Sequence, residues 1–286
     1  MASVFKLQQT YAKGGERISG EVFDIFNDYL KTEASTTAAQ VAVAVSKLVP
    51  SPTDGSKKLE DGFFFSFWKD VIRVAEQIPH DHPAMDKVVK FMRELTLLPD
   101  TGLQVWENRL WTDLPVLGAV FREHLNGPKT SKREEEQAQI DKEWVRFHAF
   151  SAKLIGAGVI NYINQVIWML RTALEEDSGA KAPSARDRDL ATAAVYIEYA
   201  GPLLAESVIR TPSPTLSQED ERLLRGGSLY ASGGGKAGLR SDRWLFWLKR
   251  FREEAEKVTS DEARSLALRS SRLMEIWVEK RLTPKA

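Results

Sequence analysis

The chain has 286 residues, 43% of them hydrophobic, with 40 basic residues, 40 acidic residues and no cysteine. That is enough apolar material for one large domain or two small ones. Balanced charge argues against a nucleic-acid surface, which carries a basic excess or stripe. The lack of cysteine removes disulfides, thiolate nucleophiles and cysteine-held zinc or iron–sulfur centres.

Apolar residues recur at helical spacing through most of the sequence. Val22, Phe23, Phe26, Tyr29 and Leu30 predict a first amphipathic helix. Ser35, Thr36 and Thr37 together can cap a second, which Pro50 and Pro52 terminate. Asp61 is a candidate cap for a third, whose face carries Phe64, Phe67, Trp68, Val71 and Ile72 and which stops at Pro79. Asp81 and Pro83 predict the start of a fourth, ending near Pro99. A fifth is predicted after Thr101, holding Trp106 and Trp111, with a kink or a break at Pro115 and an end at Gly127-Pro128.

No proline occurs over 131–176, so this is the longest helical candidate: one central helix, or two nearly in line. Gly156 and Gly158 either break it or admit a close neighbour. A helix from about Ser184 to Ile209, kinked at Pro202, follows; then a short one near 218–224. Residues 226–240 contain six glycines and predict a flexible loop, which could also serve as a lid. Ser241 or Asp242 would cap a helix bearing Trp244 and Trp247, and Ser260 or Asp261 the last. No alternating strand pattern and no repeat period is evident. The expectation is an all-α, single domain over 1–286, of about eight to ten helices around a long central helix.

The first residues show no basic stretch followed by an apolar run, and the longest uncharged apolar stretch, 154–170, falls short of the roughly 20 residues that span a bilayer. A cytoplasmic protein with neither membrane nor nucleic acid as partner is expected, its oligomeric state left open.

Standard catalytic and cofactor signatures are missing. Gly233, Gly234, Gly235 and Lys236 suggest a phosphate loop, but Tyr230 stands where its first glycine belongs and Ala237 where a magnesium-holding hydroxyl belongs. His80 and His82 flank Asp81 without further ligands nearby, so no metal and no cofactor is expected. Thr211, Ser213 and Ser51 each precede proline and, with Ser46, are exposed-looking hydroxyls; this fits proline-directed phosphorylation without being specific to it.

Four groups remain as candidates. His148 lies among Trp144, Phe147 and Phe150, as a core histidine or as a pocket acid or base. Asn161, Asn164 and Gln165 would share one helix face, forming an interhelical network or the polar patch of a cavity. Arg109 and Asp113 at i, i+4 are flanked by Trp106 and Trp111, and Arg243 precedes Trp244 and Trp247; indole beside guanidinium is packing with cation–π support or the wall of a cationic pocket.

The run from Trp106 through Arg109, Trp111 and Asp113 to Pro115, continuing to Phe121, Arg122 and Glu123, resembles a family of filamentous-fungal proteins known only as a domain of unknown function. The run from Asp242 to Trp247, with Phe251 and Trp277, is similar to the same family. The resemblance, roughly from Phe63 onward, implies a helical protein and points weakly to small molecules of secondary metabolism. It supplies no catalytic residues.

Two functions are thereby expected. In one, a tryptophan-lined cavity binds a hydrophobic small molecule, with a cofactor-independent cyclase or isomerase as its catalytic form; Trp106, Trp111, Asn161, Asn164, Trp244 and Trp247 would bind the ligand, and His148, Asp113 and Arg109 would move protons or steady charge. In the other, a helical module without chemistry binds a partner protein. A tight core with an exposed aromatic patch distinguishes the second from the first.

Overall fold

A computed structural model of the chain describes residues 5–10, 17–52 and 55–282, with side chains as far as Trp277. The described residues are overwhelmingly helical, as the apolar periodicity predicts. They cluster into two compact units, Met1–Lys132 and Arg133–Ala286.

The first unit holds α1 (Gly20–Leu30), α2 (Ala38–Ser46), α3 (Gly62–Gln77), α4 (Pro83–Thr96) and α5 (Leu117–His124). Its core is aromatic: Phe26 meets Phe91 edge-on at 5.0 Å, and Phe64, Phe67 and Trp68 of α3 are buried. Thr37 caps α2 in a reciprocal capping box with Gln40, which satisfies two donors of the first turn. His82, rather than Asp81, caps α4: its Nδ1 accepts from the Ala84 amide at 3.1 Å, so this ring is committed to a helix end.

The helix predicted after Thr101 forms only beyond Pro115, as α5. Residues 103–116 instead form a two-residue hairpin, β1 (Gln104–Val105) and β2 (Asn108–Arg109), followed by turns. Two interactions compete with the helix. Gln104 pairs its backbone with the 57–59 segment, accepting from the Leu59 amide and donating to the Lys57 carbonyl, both at 2.8 Å. The Asp113 carboxylate takes the Arg109 amide at 2.8 Å, the kind of local side-chain bond that draws backbone away from helix.

The second unit holds α6 (Glu134–Gly156), α7 (Ile163–Leu174), α8 (Pro183–Arg210), α9 (Gln218–Leu223), α10 (Ser228–Ser232), α11 (Ser241–Ala255) and α12 (Asp261–Leu282). The longest of these, α8, packs against α6, α7, α11 and α12 and runs unbroken through Pro202. Of the two alternatives for 131–176, the structure has two helices, α6 and α7. Gly158, at φ +69°, ends the first, and Gly156 admits a neighbour as well: a Cβ there would lie 2.1 Å from the Tyr199 carbonyl oxygen of α8. Both readings of the glycine pair hold together. The short helix predicted near 218–224 is α9; counting also α10, too short to show in periodicity, the described residues form twelve helices, more than the eight to ten expected. No helix among them is long and apolar enough to cross a membrane.

Candidate functional site

The hairpin of the first unit stands out because its backbone is unfavourable for its own residues. Trp106, Trp111, Leu114 and Val116 have φ of 55°, 63°, 46° and 69°. Left-handed backbone costs an ordinary side chain about 1–2 kcal/mol, so four such residues within eleven form a strained segment. Such conformations persist only where the surroundings over-determine them, and distant partners grip this segment at Trp106, Trp111 and Pro115. Trp106 occupies the first central position of the two-residue turn, where a hairpin favours glycine. Its indole N–H donates to Asp61 Oδ2 at 3.0 Å, so Asp61, at the head of α3, is spent on the hairpin and makes no capping bond to its own helix. The Trp68 indole donates to the Pro115 carbonyl at 2.6 Å. The Trp111 ring is wedged edge-on among Phe64, Phe67 and Trp68, at 5.7, 5.6 and 6.0 Å. Its buried Nε1 has no hydrogen-bond partner, at a cost of about 1–3 kcal/mol.

Arg109 and Asp113 do pair, across a turn instead of along a helix: Nε and Nη2 reach the two carboxylate oxygens at 3.1 and 2.8 Å. These bonds hold the Asp113 carboxyl below its ordinary range and raise Arg109. The Trp106 indole is 45% exposed beside the half-buried Phe65, whose ring lies 6.1 Å away. Lys58 and Glu107, 3.7 Å apart, and the Arg109–Asp113 pair supply both signs of charge on the same hairpin or its neighbouring segment.

In the second unit, charged and aromatic candidates meet in a buried cluster. Glu175, just past α7, and Arg243, on α11, are both fully buried and paired at 2.6 and 3.0 Å. Glu175 also accepts from the Trp247 indole at 2.5 Å and the Gly227 amide at 2.6 Å. The remaining Arg243 donors go to the carbonyls of Leu224, Arg225 and Gly238. All five guanidinium N–H groups and all four carboxylate acceptor sites are thereby used. The Arg243 guanidinium also lies 5.3 Å from the Tyr230 ring centroid and 5.2 Å from that of Trp247, so the cation–π reading of this segment is realised as packing. The glycine-rich stretch for which a flexible loop is expected thus includes a short helix and wraps Arg243. Arg240, not Ser241 or Asp242, precedes α11, and the Tyr230 hydroxyl donates to Asp242 at 2.6 Å.

His148 is fully buried on α6, its Nδ1 2.8 Å from the Tyr196 hydroxyl. That hydroxyl also accepts from Gln165 Nε2 at 2.7 Å, so the imidazole, the phenol and the amide form one buried network. Burial raises the Tyr196 hydroxyl well above its ordinary value, which keeps it a donor. Of the three amides, Gln165 alone is buried; it also accepts from Ser151 Oγ at 3.3 Å. Asn161 precedes α7 and is exposed, because the chain breaks at Gly158, and Asn164 is exposed with its oxygen on the Gln165 amide. Trp244 is buried, its indole donating to the Met274 carbonyl at 3.4 Å.

The expected catalytic trio is divided between units: Arg109 and Asp113 in the first, His148 in the second. The ligand set is divided likewise, with Trp106 and Trp111 in one and Asn161, Asn164, Trp244 and Trp247 in the other. Glu175, Tyr196 and Tyr230 carry networks that sequence reasoning did not assign. Their one sequence signal is a polar group set against apolar neighbours, as Glu175 follows Leu174.

Aromatic cores, saturated buried networks and one strained, exposed aromatic hairpin define an all-helical scaffold with a presented surface feature. No curated protein and no solved structure matches the chain. The chain belongs to the family described as "Protein of unknown function (DUF3632)", which matches residues 68–251 and so includes both the hairpin and the Glu175–Arg243 cluster.

Proposed function

We propose that the protein is a binding module that docks a partner protein through the Trp106 hairpin, without chemistry of its own. One observation carries the reading: a tryptophan, 45% exposed, is held at φ 55° on a hairpin tip where glycine would be unstrained. Strain of this kind collects at ligand clamps, and tryptophan is the side chain most enriched among residues that dominate interfaces. Phe65 extends the apolar patch, and the ion pairs beside it carry no net charge, which suits an apolar helix face edged by both signs of charge. The cavity reading has less support: Trp111, Trp244 and Trp247 are engaged in core contacts, and His148 in a buried network.

Trp106→Gly tests this. Relief of the left-handed backbone returns about 1–2 kcal/mol. Loss of the Asp61 bond and the Phe65 contact removes about 1–3 kcal/mol in total. The net effect on folding stability should therefore lie between a gain of about 1 and a loss of about 2 kcal/mol. Binding should fall about 30-fold, the equivalent of about 2 kcal/mol for an interface-dominating tryptophan. The assay is quantitative affinity capture from source cells with wild type and variant, followed by titration of the recovered partner. An unchanged partner set with unchanged affinity overturns the reading.

A further inference from the structure

We infer that Ser213 is a phosphorylation site of a proline-directed kinase, and that Arg240 is its built-in phosphate receiver. This goes beyond the docking reading, since it concerns the second unit and a covalent modification. Four hydroxyls precede proline, Ser51, Thr211, Ser213 and Thr283; the last lies outside the described residues, and the structure separates the other three. Ser213 is exposed, in the non-helical stretch between α8 and α9, and its Oγ accepts from Arg240 Nη2 at 3.2 Å. The Arg240 guanidinium is oriented through its other edge, where Nε donates to Asp242 Oδ1 at 3.2 Å. The two segments are already joined, because the Ser241 amide donates to the Pro212 carbonyl at 3.2 Å. Pro214 lies against the glycine-rich stretch: a Cβ on Gly238 would come within 3.3 Å of it.

The step transfers the γ-phosphoryl group of ATP. The Ser213 Oγ–phosphorus bond forms, the bond from that phosphorus to the β,γ-bridging oxygen breaks, and ADP leaves with the electron pair. The hydroxyl proton passes to the kinase's base. The product carries about −1.5 to −2 charge and three acceptor oxygens where one hydroxyl now meets a guanidinium. Arg240 Nη2 already reaches Ser213 Oγ while Nε is bonded to Asp242, so a contact between a cation and a neutral hydroxyl becomes one between opposite charges. Asp242 opposes the new charge, and its second oxygen is occupied by the Tyr230 hydroxyl, which limits the repulsion. The result is a firmer tie between residues 211–216 and the start of α11.

The test uses the full chain, a cyclin-dependent kinase and a mitogen-activated kinase with Mg–ATP, and a peptide of residues 208–219 as control. Mass spectrometry should find phosphate on Ser213 in the chain and the peptide, and none on that segment after Ser213→Ala. Dephosphorylation by a broad phosphatase should be several-fold slower for the chain than for its Arg240→Gln variant, while the peptide loses phosphate fastest. Tryptic cleavage after Arg210 should slow on phosphorylation in wild type alone. A chain left unmodified while the peptide is phosphorylated, modification of neither, or phosphate on Thr211 or Ser51 instead overturns the site. Equal dephosphorylation rates for wild type and Arg240→Gln overturn the receiver.

Discussion

Replacing Glu175 by glutamine changes one oxygen to an amide group and leaves Arg243 as a fully buried cation with no counter-charge. Four donors now converge on the carboxylate: Arg243 Nε and Nη2, the Trp247 indole and the Gly227 amide. A glutamine oxygen can serve two of them, and its NH2 group would face the other two donors. Removing one partner of a buried ion pair costs about 3–5 kcal/mol, mainly because the remaining charge stays desolvated. Against a typical total stability of about 5–15 kcal/mol, that is a large fraction. Urea unfolding followed by circular dichroism gives the magnitude. Hydrogen-exchange mass spectrometry gives the place, and protection should fall first in 224–243. The companion double variant, Glu175→Leu with Arg243→Met, removes both charges, so it should cost less than the sum of the single changes by at least about 2 kcal/mol. It still leaves the carbonyls of Leu224, Arg225 and Gly238 without their donor, so wild-type stability is not recovered. A loss below about 1 kcal/mol for Glu175→Gln, or strict additivity in the double variant, refutes the reasoning.

Other perturbations test the remaining features. Gly156→Ala should destabilise by about 2 kcal/mol or more, although glycine to alanine normally favours a helix, because the new Cβ would sit 2.1 Å from the Tyr199 carbonyl; a higher thermal midpoint would contradict that approach of α6 to α8. Tyr29 is pushed up to about 12 by burial and then by Glu94, and burial also raises Tyr196 and Tyr230. A phenol that holds its proton more tightly when folded contributes stability that is complete below about pH 10 and lost as pH rises through the folded value. Absorbance at 295 nm should therefore show these three ionising only beyond pH 10 or with unfolding, and an early titration of Tyr29 in native protein would count against its burial. Asp113 has the opposite sign. Its carboxyl lies below 3.8 because Arg109 donates to it through side chain and backbone, so its contribution is present above that value and lost as pH falls through the lower, folded one. The Arg109 amide resonance should shift with a midpoint below 3.8, and a midpoint at or above it would rule out the bonded form in solution.

Much of the helical framework was legible because amphipathic spacing is a local property. The faces of α3, with Phe64, Phe67 and Trp68, and of α11, with Trp244 and Trp247, follow from three- and four-residue intervals. The hairpin was not legible, since its left-handed positions are Trp106, Trp111, Leu114 and Val116, where local preference would ask for glycine or asparagine. Only distant partners, Asp61 for Trp106 and Trp68 for Pro115, make that backbone tolerable. Asn161 and Asn164 were grouped with Gln165 by a spacing that presumes a continuous helix, and Gly158 ends that continuity. The Arg109–Asp113 pair survived the wrong element because a four-residue interval also closes a turn. Glu175 and Arg243, 68 positions apart, leave no local trace of their pairing beyond two charges beside apolar neighbours.

That separation has a bearing on the order of assembly during synthesis. A ribosome makes the chain from its N-terminal end, so α7 and Glu175 emerge many seconds before Arg243 does, at the usual pace of about 5–20 residues per second. In that interval the carboxylate has only water and the nearby Arg171 to compensate it, and the Gly227 amide and Trp247 indole have yet to arrive. The nascent second unit can form helices, but it cannot seal its interior at this point. Closure waits for α11, and a polypeptide interrupted before residue 243 would present an open, hydrated seam to the quality-control machinery.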